Sequence, residues 1–418
     1  MSSSSRLVQV PGLVNAHSHA FHRVLRGRTH ERSETSVTYS TDNFWTWRTQ
    51  MYAAASYLSP EAYEQLATAV FAEMVTCGWT AVGEFHYVHR GQTAGTLSEP
   101  LAMERALINA AVAAGIRLTL LDTCYLQGGL SAAGEAIPLN EVQSRFSDGS
   151  AEGWLKRWNA LHDVIAEINS PLVTLGAAVH SVRAVPKIEL ERIGAELPAG
   201  TVLHAHVSEQ PAENEACLAA YGVTPTELLS FSGLLGPNFS AVHATHLTPH
   251  DIELLGSSGS TIVMCPSTEA DLADGIGPAR ALADAGATIA LGTDQHASID
   301  PYLEMRALEH GERLSTGQRG RFQPAELLDA AVSGGARSLG LASPATDSTD
   351  LDDYLMVDCE SMRTFGSRVS QLPLTATAAD VQQVVINQRV VAENGVHAQL
   401  GSVEELYCAF MAEHPEFQ

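Results

Sequence analysis

Two histidines, His17 and His19, flank a single serine in the stretch "GLVNAHSHAFHR". In an extended strand residues i and i+2 face the same side, so both rings can reach one cation. A structural pair has the same spacing, so the pair acquires meaning only if other segments supply the remaining ligands. Three later apolar runs end on residues of that kind. His206 closes "TVLHAHVSE", with Glu209 three residues on; His243 closes the run in "SAVHATHL"; and Asp294 follows "TIALGT". His17, His19, His206 and Asp294 form a set of three nitrogens and one oxygen that suits one Zn²⁺, and Fe²⁺ or Mn²⁺ fit the same donors. His243, Asp294 and Glu209 would then stand beside the ion as proton-transfer groups.

Such residues need a scaffold that gathers strand ends. Eight short apolar runs recur: "GLVNAHSHA", "TAVGEFHY", "RLTLLDTCY", "LVTLGAAVH", "TVLHAHVSE", "SAVHATHL", "STIVMCPS" and "TIALGTDQH". Ala-rich stretches of helical period separate them, including "SPEAYEQLATAVFAEMVTCG" and "MERALINAAVAAG". Continuous apolar strands alternating with helices imply a parallel sheet covered on both faces, and eight units imply a (β/α)8 barrel. The polar residues sit at the C-terminal ends of the runs, where this architecture builds its sites. The expected division is a shortened N-terminal strand and linker over 1–12, the barrel over 13–345, and a small β domain with a closing helix over 346–418. "VQQVVINQRVVAENGVHA" carries the alternation of that small domain, with "ENG" as a turn, and "SVEELYCAFMAEH" is the helix.

Composition narrows the function. The chain has 418 residues and a formal net charge of −24, which argues against nucleic-acid and anionic-membrane partners. There is no export signal and no apolar run long enough to span a bilayer, so a cytoplasmic protein is expected. The six scattered cysteines lack a CxxC pair and read as reduced thiols.

The order of these motifs resembles the amidohydrolase superfamily across nearly the whole chain. "HSHAFHR", "FWTWR", "EFHYVH", "HSVRAV", "HVSEQ", "HATHL", "CPSTEADLADG" and "GTDQH" are more closely similar to the formimidoylglutamate deiminase family. The resemblance implies a TIM barrel of the amidohydrolase type with a small β-sandwich-like domain, a homodimer, and zinc-dependent deimination of N-formimino-L-glutamate in histidine degradation. The run that closes the fourth unit ends "LGAAVHSVR", without the lysine that bridges two metals in other branches. One metal per subunit is therefore expected, with Lys187 starting the next helix.

For a dicarboxylate amidine substrate, the resemblance points to Arg183 and His180 for one carboxylate and to Arg48 and Tyr87 for the other. Arginine offers the bidentate fork that suits carboxylates. His22 stands where the family often has Gln and is expected to touch substrate. His30 and the polar segment around 28–43 read as a loop over the barrel mouth. His86, His89, His204, His246 and His296 read as structural, with His86 and His296 close enough to the ligands in sequence to remain suspects. Glu269 either lines the pocket or caps a loop. Two alternatives stay open: an aminohydrolase of another amidine, guanidino acid or nucleobase on the same site, and a non-catalytic, metal-stabilised assembly protein.

Overall fold

The computed structural model describes residues 6–29, 43–93, 96–342 and 351–417. Eight parallel strands form one sheet: β2 (Leu13–Ser18), β3 (Trp79–His86), β4 (Arg117–Cys124), β5 (Val173–Val179), β6 (Leu203–Val207), β7 (Phe239–His243), β8 (Thr261–Met264) and β9 (Thr288–Leu291), each hydrogen-bonded to the next. These are the eight apolar runs of the sequence, in order. Every residue of β2 and β3 is buried, as expected of strands covered on both faces. The sheet closes on itself at the end that carries the histidines. The Thr293 and Asp294 N–H groups both donate to the His17 carbonyl at 3.0 Å, and the His19 N–H donates to the Asp294 carbonyl at 3.0 Å.

The outer helices include α1 (Phe44–Tyr57) and α2 (Pro60–Cys77) after β2, α3 (Ala102–Ala114) after β3, and α4 (Ala151–Ile168) after β4. They continue with α5 (Lys187–Glu196), α6 (Pro211–Tyr221), α7 (Pro249–Ser257) and α8 (Pro301–Thr316). Their ends follow local chemistry. The Ser59 hydroxyl accepts from the Ala62 N–H and Pro60 opens α2, while Gly78 takes the left-handed conformation (φ 111°) that ends it. Lys187 opens α5, eight residues after β5 ends at Val179.

A second, antiparallel sheet runs β1 (Leu7–Pro11), β10 (Tyr354–Asp358), β11 (Val381–Ile386), β12 (Arg389–Glu393) and β13 (Val396–His397). Asn387 and Gln388 (φ 51° and 60°) join β11 to β12, and Asn394 and Gly395 (φ 53° and 75°) join β12 to β13. Both are two-residue turns of the positive-φ type that matches strand twist. The sheet is fastened to the barrel by the His397 imidazole on the Ala114 carbonyl (2.9 Å) and by Arg117 on Asp353 (Nη2–Oδ1 2.9 Å). A last helix, α9 (Val403–Glu413), lies along α2, where the Tyr407 hydroxyl donates to Glu73 at 2.6 Å. All six cysteines are free thiols. No helix among the described residues is long and apolar enough to cross a membrane.

Candidate active site

The ligand-type residues meet at the C-terminal mouth of the barrel. His17 and His19 close β2, His206 lies in β6, His243 ends β7, and Asp294 stands three residues beyond β9. His17 Nε2 is 3.3 Å from His206 Nε2 and 3.5 Å from Asp294 Oδ1; His19 Nε2 is also 3.5 Å from Asp294 Oδ1. Donors ~2.05 Å from a common zinc ion at the tetrahedral angle would lie ~3.3–3.4 Å apart, so each of these three contacts is close to the spacing of two donors on one ion. The ring tautomers agree. His19 Nδ1 lies 2.8 Å from the Phe85 carbonyl and His206 Nδ1 lies 2.9 Å from the His180 carbonyl. A carbonyl only accepts, so both Nδ1 atoms carry hydrogen and both Nε2 lone pairs face the centre. Burial, followed by the charge repulsion of neighbouring imidazoles, pushes the pKa of His17 and His206 well down and that of His19 to about 3. The rings therefore stay neutral, as ligands must.

His243 is wedged among carboxylates. Its Nε2 is 3.8 Å from Glu209 Oε1 and 3.8 Å from Asp294 Oδ2, and its Nδ1 is 3.4 Å from Glu269 Oε1. Burial opposes its charge, but Glu209, Glu269 and Asp294 outweigh burial and hold its pKa up at about 10. Glu269 also accepts the Cys265 N–H at 2.9 Å, so it both caps a turn and orients His243.

A narrow cleft, with about 40 Å³ open to water, lies beside these atoms. Arg48, Trp47, Met51 and Tyr52 of α1 line one wall; Tyr87, Tyr125, His180 and Arg183 line the other, and His22 joins His19 at the base. His22 Nε2 is 3.0 Å from the Tyr87 hydroxyl. Arg48 stacks on Tyr52, 5.2 Å from the ring centroid, and among the described residues it forms no ion pair. Arg183, expected to hold a substrate carboxylate, is already paired with carboxylates of the chain. Its Nη2 lies 3.2 Å from Glu209 Oε2 and its Nε 3.5 Å from Glu213 Oε2. Sequence reasoning missed Glu213, although its i+4 spacing from Glu209 was the available signal. It also missed Asp274, which takes a hydrogen bond from the Gln210 amide and whose pKa burial, then Glu209, raises to about 9.

The remaining histidines separate cleanly. His204 bonds the Ser338 carbonyl, and His246 the Asp274 carbonyl. His86 and His89 bind Glu104 away from the cleft, at 3.3 and 3.0 Å. His296 lies directly behind the ligands. His30 and most of the expected mouth loop lie outside the described residues. Positive φ values cluster here, at Ser208, His243, Ala244, Asp294 and His296 (42–67°). Non-glycine residues tolerate such backbone when the surroundings over-determine it, as functional sites do.

A family profile, described as the amidohydrolase family, matches residues 8–345. The chain belongs to the amidohydrolase family. Among its relatives, the formimidoylglutamate deiminase of Pseudomonas aeruginosa is 36% identical over 79% of this chain and 72% of its own length. An 8-oxoguanine deaminase of the same organism is 30% identical over 81% of this chain and 71% of its own. A solved amidohydrolase structure from Brucella melitensis superposes with a TM-score of 0.85 at 29% identity, covering 98% of this chain and 90% of the other. An adenosine deaminase from Xanthomonas campestris, solved with bound zinc, shares the fold (TM-score 0.81, 23% identity, 98% and 86% covered). The chain is an amidohydrolase-type deaminase, a hydrolase of C–N bonds.

Proposed function

We propose that this chain removes the imino nitrogen of N-formimino-L-glutamate, giving N-formyl-L-glutamate and ammonia, with one Zn²⁺ held by His17, His19, His206 and Asp294. The observation that carries the reading is the pair of donor triads that share His17, His17–His206–His243 and His17–His19–Asp294, beside a cleft that also presents Arg48 and Arg183. Zinc supplies Lewis acidity and makes water acidic enough to attack near pH ~7. The chain supplies the rest. The second oxygen of Asp294 would take the proton of the incoming water, while His243, kept protonated by its carboxylates, would orient the attack beside it. Glu209, bridging His243 and Arg183, delivers a proton to the departing nitrogen, so that ammonia rather than an amide anion leaves. Arg48 and Arg183, with Tyr87, His180 and His22, hold the glutamate portion. In this reading barrel residues carry the chemistry and the small sheet braces the barrel from outside.

One observation favours a second reading. Glu209 and Glu213 already neutralise Arg183, leaving Arg48 as the one pocket arginine without an ion pair among the described residues. Aromatic walls from Trp47, Tyr52, Tyr87 and Tyr125 would also suit a flat amidine such as an oxidised purine. Ammonia release separates the two. Zinc-loaded protein is expected to release ammonia from N-formimino-L-glutamate, to form N-formyl-L-glutamate, and to stop when chelated. Release from 8-oxoguanine alone would favour the second reading, and chelator-insensitive release would overturn the metal assignment.

A further inference from the structure

Behind the proposed metal ligands runs a line of buried polar groups that the reaction does not use. Asn15 Nδ2 donates to Thr293 Oγ1 at 2.7 Å, and Asn15 Oδ1 accepts the Thr293 N–H at 3.1 Å. Thr293 Oγ1 is 3.0 Å from His296 Nδ1, and His296 Nε2 is 3.2 Å from Ser18 Oγ. Ser18 Oγ is 2.5 Å from Glu84 Oε2, and Glu84 Oε1 accepts the Ala20 N–H at 2.7 Å. All of these side chains are buried to within 1% exposure. Donors and acceptors match along the whole line when it runs towards Glu84: Thr293 Oγ1 donates to His296 Nδ1, His296 Nε2 to Ser18 Oγ, and Ser18 Oγ to the Glu84 carboxylate.

The line has a particular place. Ser18 sits between His17 and His19, Thr293 precedes Asp294, and His296 follows Asp294 by two. This is the seam where β2 meets the segment after β9 to close the barrel. Three of the four proposed ligands hang from the two segments that the line joins. Two backbone torsions there, at Asp294 (φ 42°) and His296 (φ 62°), are of the costly positive-φ kind, so the ligand geometry needs a brace.

We infer that Glu84, Ser18, His296 and Thr293 are positioning residues that set the His17–His19–Asp294 face for its metal. They act through the ligands and touch neither substrate nor reacting atoms. The inference rests on the metal reading above. Outer partners of metal ligands commonly change affinity 10–100-fold on removal. A brace that served folding alone would lower stability and leave affinity unchanged.

The test is competition for Zn²⁺ against a chromophoric chelator, with thermal melts of the metal-free proteins alongside. Ser18→Ala removes the joint without adding volume, Thr293→Val cuts the line at its other end, and Glu84→Gln keeps a group able to hold both Ser18 and Ala20. Ser18→Ala and Thr293→Val are each expected to weaken Zn²⁺ about 10–100-fold and to change the visible spectrum of the Co²⁺-loaded protein. Glu84→Gln keeps both contacts but meets Ser18 as a donor, so it is expected to weaken Zn²⁺ less than either of the other variants. Parent-like affinity in Ser18→Ala and Thr293→Val, or loss of melting temperature alone, would overturn the inference. Failure of the parent itself to bind Zn²⁺ would instead overturn the metal reading. If one variant does not fold, the other decides.

Discussion

The molecule contains two buried knots of histidine and carboxylate, and they have different fates. One gathers His17, His19, His206, His243 and Asp294; the other gathers His86, His89 and Glu104. The first is two triads that share His17, His17–His206–His243 and His17–His19–Asp294, the second a single triad, and within each triad the ligand atoms lie within 4.8 Å of one another. In the first, the ion-pair partners of Asp294 among the described residues are all histidines. In the second, a cation is built in. Arg157 Nη1 lies 3.1 Å from Glu104 and 2.5 Å from Asp122, and its Nε reaches Asp148 at 2.9 Å. Arg157 Nη2 also faces His89 Nε2 at 2.9 Å. A metal at the second knot would have to displace a guanidinium that its carboxylates already hold. Ligand-type residues at ligand spacing are therefore necessary for a metal centre but not sufficient. The deciding feature is whether a guanidinium, which cannot give up its charge, already holds the carboxylates that a metal would need.

The contrast can be broken most severely at the first knot. Asp294→Asn removes both a ligand and a proton acceptor. Ammonia release should fall by about 10⁴-fold, and zinc content should fall with it, while unfolding in denaturant stays cooperative. Retained zinc and turnover would show that Asp294 is no more essential than its counterpart Glu104. A change at the second knot should reverse the pattern. Arg157→Met leaves Glu104 and Asp122 buried without their cation, which costs about 3–5 kcal/mol of stability, read from denaturant unfolding. The same variant, kept cool, should bind zinc like the parent.

The smallest expected effect concerns acid. Burial alone would raise the Glu104 pKa, but hydrogen bonds from His86 and His89 and the charge of Arg157 hold it well below its ordinary 4.5. Glu104 therefore stabilises the fold fully above pH 4.5, and that contribution is lost as pH falls further. His86, which burial holds below its ordinary 6.5, makes the unfolded chain the better proton binder below pH 6.5. Both terms weaken the fold with acid, in adjoining windows. Unfolding free energy measured from pH 7 to 4 should decline, and Glu104→Gln should flatten the decline below pH 4.5. An unchanged slope would remove Glu104 from the account.

The first knot was legible in sequence because strand geometry carries it. The i, i+2 spacing of His17 and His19 and the strand-end positions of His206, His243 and Asp294 follow from the alternation of apolar runs alone. The eight strands were legible for the same reason, and so was the turn at Asn394–Gly395. The second knot was only half visible. "EFHYVH" displayed His86 and His89, but Arg157 arrives from α4 and Glu104 from α3, contacts that no local period announces. The engagement of Arg183 with Glu213 was hidden similarly: spacing suggests that two acids share a face but not which cation lies against them. Pattern reveals which side of an element a residue occupies, whereas charge pairing depends on what another element brings opposite.

The small sheet has a consequence for how the molecule comes into being. Leu7 pairs with Asp358 and Pro11 with Tyr354, so β1 must wait for a partner made some 340 residues later. At synthesis rates of roughly 5–20 residues per second, that wait is roughly 20–70 s. Throughout it, "LVQVP" is a bare strand edge on a nascent chain whose barrel seam also joins its first strand to its last. Both closures are late and non-local, which makes folding slow and the emerging chain a client for whatever shields apolar edges at the ribosome.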